Sequence, residues 1–197
     1  MIRNRLKIAV VGLLMTLTSL SADNYFDGTS LAGIEGSYGA MNSELSYAAN
    51  PAAYNQKMTD LAGLGIKIGA ESESYRIFLS GRYYADMRDE YEYIATVGGE
   101  VQYIFHNTAK NNIFIGVGAG LANMKFAIEV ESFSRTLSDP YIGGDIGMNF
   151  HMRKYLDLEM GVRVISIQAE NSRNNVTYRL NTIANAYASI IYKWQMD

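Results

Sequence analysis

The chain contains no cysteine, two prolines, two histidines and one tryptophan in 197 residues. Without cysteine there is no disulfide and no site for a lipoprotein anchor. Two histidines and no cysteine leave no metal-ligand spacing and give no reason to expect a cofactor. No basic run follows the first residues and the formal net charge is −3, so the electrostatic footprint of a nucleic-acid binder is missing. No apolar run is as long as the ~18 residues that a transmembrane helix requires. Glycine and tyrosine are plentiful instead, 18 and 15 residues, a balance that suits alternating strands better than one large apolar core.

Residues 1–22 read as a signal peptide. Arg3, Arg5 and Lys7 form a basic start, residues 8–17 an apolar stretch too short to span a bilayer, and Ser19, Ser21 and Ala22 a small-residue exit. Cleavage is expected after Ser21 or Ala22, leaving 23–197 as one barrel domain; the alternative is a retained N-terminal anchor.

The rest of the chain alternates with period two. In residues 139–166, Ile142, Ile146, Met148 and Phe150 share one parity, opposite Gly143, Asp145, Gly147 and Asn149. After a short turn, Leu156, Leu158, Met160, Val162 and Val164 oppose Asp157, Glu159, Gly161 and Arg163. This is the pattern of amphipathic strands. The same alternation recurs in residues 31–40, 61–70, 76–84, 93–105, 113–121 and 182–194, which gives eight strands.

The charged residues within these spans all avoid the apolar parity: acids Glu35, Glu100, Asp145, Asp157 and Glu159, and bases Lys67, Arg76, Arg82, Arg163 and Lys193. Arg or Lys facing lipid at the bilayer midplane costs about 2–4 kcal/mol, a penalty that accounts for such exclusion. The connections alternate too. Residues 71–74, 106–112 and 152–155 read as short turns and 42–59, 126–138 and 168–179 as long loops, with 85–90 brief on the long side. Short inner turns and long outer loops are the habit of outer-membrane barrels. Aromatics on the apolar face mark two levels, Tyr38, Tyr83 and Tyr93 toward the outer ends, and Phe105, Phe150, Tyr192 and Trp194 toward the inner ends. A soluble sandwich or lipocalin-like barrel would need the charged face wet and the apolar face inside; the export signal, loop asymmetry and girdles oppose it. The fold class read from the sequence is all-β, an eight-stranded antiparallel up-and-down transmembrane β-barrel.

The closing strand, 184–194, ends in Tyr192-Lys193-Trp194 and resembles the C-terminal signal read by the barrel assembly machinery, except that Gln195, Met196 and Asp197 follow its aromatic. With the Gly-x-Gly strands and the turn at Arg153-Lys154-Tyr155, the mature chain resembles the small outer-membrane barrels of the OmpA transmembrane-domain and OmpX type. The resemblance implies a Gram-negative outer-membrane location, export through the signal peptide, surrounding membrane lipid, a monomer, and no peptidoglycan-binding module after Trp194.

An eight-stranded barrel has little interior beyond its own side chains. Five inward acids against five inward bases point to ion pairs that close the lumen, whereas a selective pathway favours a ring of one sign. His106 and His151 fall at the inner turns, while lipid A deacylase and palmitoyltransferase barrels keep His and Ser catalysts at the outer rim; no enzyme is expected. The run Gly116, Gly118, Gly120 lacks the Lys-Ser/Thr ending of a phosphate loop and reads as room for large inward neighbours such as Phe114 and Tyr84. Specific function then falls to the outer segments. Ile128, Val130 and Phe133 continue the alternation beyond the membrane, Tyr47 and Tyr54 lie in the first loop, and together they are the candidate contacts for a surface protein or host ligand. Two roles stand: a non-enzymatic surface barrel for adhesion or envelope integrity, and a narrow porin-like channel for ions or small solutes.

Overall fold

The structure, a computed structural model, describes residues 28–47, 50–87, 91–126, 136–173 and 176–195; for 44–47, 50–57, 91–92, 126, 136–137, 168–173 and 176–180 it describes the backbone alone. Residues 1–22, with the expected signal peptide, lie outside the described residues, as do Ile128, Val130 and Phe133.

The strands are β1 (Thr29–Tyr47), β2 (Asn50–Glu71), β3 (Tyr75–Asp86), β4 (Tyr91–His106), β5 (Asn111–Phe126), β6 (Thr136–Arg153), β7 (Leu156–Arg173) and β8 (Val176–Gln195). They form one closed barrel in sequence order, every pairing antiparallel, with β8 returning to β1. Closure leaves no sheet edge within the wall, the condition for strands to cross a bilayer. The inner turns are tied to the strand beyond each: Ile104 N donates to Ser74 O at 2.8 Å, His151 N to Lys110 O at 2.9 Å and Lys193 N to Tyr155 O at 3.0 Å.

Two of the long outer loops read from the sequence are not loops. β1 and β2 stay in register from Thr29↔Glu71 to Ser46↔Tyr54 and shift register before Tyr47↔Asn50, so most of 42–59 is strand. β7 and β8 pair up to Arg173↔Val176 after a register shift between Ser166 and Ala169, so 168–179 is strand except at 174–175, outside the description. In these segments no lipid requires alternation, and the polar sequence hides the ladder. β2 is 22 residues long and β3 only 12. β2 and β3 begin pairing at Leu61↔Asp86, and β6 and β7 end at Tyr141↔Ile167. A four-stranded sheet in the order β7-β8-β1-β2 therefore extends past the β3–β4 turn. Among the described residues its β2 margin, 50–59, has no partner on the β3 side.

The wall's outward face is apolar: Leu64 is 75 % exposed, Val117 65 % and Val162 54 %. The inward face combines glycine with bulk. At Gly63 an added Cβ would stand 2.6 Å from Tyr84 Cδ1, and at Gly147 2.6 Å from Phe114 Cζ. The Gly116, Gly118, Gly120 run instead lies under Asp145, Glu100 and Tyr141, so it makes room for neighbours other than the expected Phe114 and Tyr84.

Candidate functional site

The inward charges form one connected network across the lumen. Glu35 on β1 is its centre. Arg82 donates to it from β3 (Nε to Oε1, 2.8 Å) and Arg163 from β7 (Nη1 to Oε1, 2.6 Å; Nη2 to Oε2, 3.1 Å). Arg82 also pairs with Glu100, which accepts from Ser80 Oγ at 2.9 Å. Asp145 accepts from Tyr187 Oη at 2.9 Å and faces Arg163 Nη2 at 3.6 Å. Arg163 also lies over the Tyr187 ring, 4.1 Å from its centroid.

Lys67 carries the network inward. Its Nζ is 4.0 Å from Glu35 and donates to Glu159 at 2.6 Å. Arg76, fully buried, then reaches Asp157 at 2.7 Å, Asn149 at 2.5 Å, and Glu71. Lys193 bridges Glu71 at 3.2 Å and Asp157 at 3.1 Å. A buried charge without a partner costs several kcal/mol, about enough per ion to make partner geometry decisive. Sequence reading misses one acid here: Glu71 sits beside a turn, and only the register of β2 against β3 shows it turned toward Arg76.

Above this charged waist the lumen holds an apolar layer: Met41, Leu61, Tyr84, Ile94, Ala122, Met124, Tyr141, Ile165, Ile167 and Ile183. A smaller cluster, Leu31, Phe78 and Ile191, lies in the inner half. These residues share parity with the charges, so a rule that assigns polar residues inward passes over them.

The aromatics take the outward positions. Tyr38, Tyr83, Phe105 and Tyr192 are half or more exposed, and Tyr93, Phe150 and Trp194 partly so. Tyr83 stacks on Tyr93 at 6.3 Å and Tyr192 on Trp194 at 5.9 Å. Tyr75, Tyr103 and Tyr155 are exposed as well and join the inner level, to which the sequence reading does not assign them. Tyr47 and Tyr54 lie in the projecting parts of β1 and β2, their side chains outside the description.

The inner mouth opens as a cavity of about 560 Å3 whose lining includes Glu71, Ser72, His106, Asn112, His151 and Lys193. His151 Nδ1 is 2.9 Å from Asp157 Oδ1, the orienting contact of a general base. Its Nε2 faces Asn112 Nδ2 at 3.4 Å. The pair is thus joined to the hydrogen bonds at the inner end of the lumen. Among the described residues no group of His, Asp and Glu is placed to hold a metal.

The closed wall, the apolar exterior and the aromatic levels define the class: the fold is that of the small outer-membrane barrels of the OmpA transmembrane-domain and OmpX type. No protein-family model matches the chain, and no curated protein matches its sequence. Solved structures match its fold. Neisserial surface protein A superposes with a TM-score of 0.61 at 13% identity, over 84% of this chain and 97% of that one. The outer membrane protein AlkL in DMPC bilayers gives 0.50 at 13% identity, over 89% and 94%. OprG from Pseudomonas aeruginosa gives 0.50 at 10% identity, over 86% and 96%. Identities this low establish the fold and carry no role.

Proposed function

We propose that the chain is an integral protein of the bacterial outer membrane that acts without catalysis, presenting its projecting sheet at the cell surface in adhesion or envelope integrity. Delivery follows from the expected signal peptide and insertion from Tyr192 and Trp194 as the signal to the barrel assembly machinery, with lipid as its surroundings and a monomer as its working state. The observation that carries this reading is the unequal height of the wall: β7-β8-β1-β2 continues past the β3–β4 turn as a paired sheet, with one register shift in each ladder, at Ser166/Ala169, Asn42/Ser43 and Ser46/Tyr47. Such a sheet offers main-chain hydrogen bonds along the β2 margin, where strand addition gives affinity through the backbone and specificity through alternate side chains. The paired charges and the apolar layer support a closed lumen.

The second reading is a narrow channel, favoured by the polar waist and the open inner mouth. The two separate on one comparison. Removing residues 46–55 shortens the β1–β2 tip and should leave heat-modifiable gel migration intact while lowering adhesion of cells displaying the protein. Unchanged adhesion would show that the projecting sheet is not the adhesive surface.

A further inference from the structure

Where the charged waist meets the apolar layer there is a void of about 10 Å3, lined by Glu100, Gly118, Tyr141, Gly143, Asp145 and Arg163 among others. That is about the space one water-probe sphere needs. Two of these lining residues bury an oxygen that has no hydrogen-bond partner, Glu100 Oε2 and Tyr141 Oη. Both side chains are deep in the lumen, at 6% and 5% exposure. Arg163 Nη2 stands 3.9 Å from Glu100 Oε2 and 3.6 Å from Asp145 Oδ2. Those separations are too long for direct hydrogen bonds and suit one bridging molecule.

We propose that this void is a binding site for a single water, which donates to Glu100 Oε2 and to the Asp145 carboxylate and accepts from the Tyr141 hydroxyl and Arg163 Nη2. The surrounding chemistry selects that occupant. Carboxylates only accept and a guanidinium only donates, so the molecule between them must supply two donors and two acceptor sites, as water does. A cation is opposed by Arg82 and Arg163, an anion by Glu100 and Asp145, and anything larger by the volume. Missing side chains keep the space open: an added Cβ at Gly118 would stand 3.0 Å from Glu100 Cγ, and at Gly143 2.8 Å from Val164 O.

The water has a structural task. Tyr141 belongs to the apolar layer, and the water ties its hydroxyl to the charged waist, so the two layers are held together. The site shares no lining residue with the inner-mouth cavity.

The test is water–protein cross-relaxation NMR on the refolded full chain in micelles. Slow-water cross-peaks are expected at the Gly118 and Gly143 amides, lost or at least halved in Tyr141→Phe with heat-modifiability retained. Absence of such cross-peaks in the unmodified chain, or their full persistence in Tyr141→Phe, would overturn the site. A high-resolution crystal structure of the unmodified chain gives a second reading that needs no variant. Ordered density within hydrogen-bonding distance of Glu100 Oε2 and Tyr141 Oη supports the site, and direct contact between those two atoms refutes it.

Discussion

Arg163 and Glu35, 128 residues apart in the chain, meet across the lumen through two parallel hydrogen bonds of 2.6 and 3.1 Å. This fork-to-fork geometry is the strongest form of such a pair. It links β7 to β1 through the interior, past the single strand β8 that separates them in the wall.

Removing Glu35 therefore leaves two guanidiniums, those of Arg82 and Arg163, short of their shared acceptor. Glu35→Ala is expected to destabilise the barrel by about 3–5 kcal/mol, the usual cost of breaking a buried pair. Urea titration of the refolded protein, read by gel migration, measures it. A loss below about 1 kcal/mol, the level of an exposed pair, would show the waist to be hydrated and loosely coupled.

The apolar layer is tested independently of charge. Leu61→Ala and Ile165→Ala each empty a fully buried position, and each should cost about 2–5 kcal/mol. Tryptophan emission during urea unfolding follows both, since Trp194 lies in the wall far from either substitution.

Orientation of the wall is tested by two neighbours. Leu64 faces out and Lys67 faces in. Leu64→Arg should cost about 2–4 kcal/mol in a bilayer if it sits near the midplane. Leu64→Ala, which keeps an apolar surface toward lipid, should change stability far less when the two are compared by folding into vesicles. Equal effects of the two variants would place Leu64 away from lipid.

Much of this was legible in the sequence, and the reason is the bilayer. Lipid permits no charge at Leu64, Val162 or Ile190, so alternation is strict there, and the inward placement of Arg82 or Glu159 follows from parity alone. What was hidden depends on register. Nothing local tells Arg163 to choose Glu35, because the pairing rests on how eight strands stagger around the barrel. Met41, Ile94 and Ile183 escaped notice because an apolar layer was not expected on the same parity as the charges. The extensions of β1 and β2 escaped because beyond the membrane neither face of the sheet is forced to be apolar, and the ladder through Glu44↔Gln56 leaves no periodic mark.

The proposed closed lumen rests on paired charges at the waist and an apolar layer above them. Planar-bilayer recording on the refolded full chain tests it most directly. A closed lumen gives a flat current trace at steady voltage, with conductance emerging only when Glu35→Ala is combined with Ile165→Ala. Steady, unitary openings in the unmodified protein would contradict it and establish the channel reading in its place.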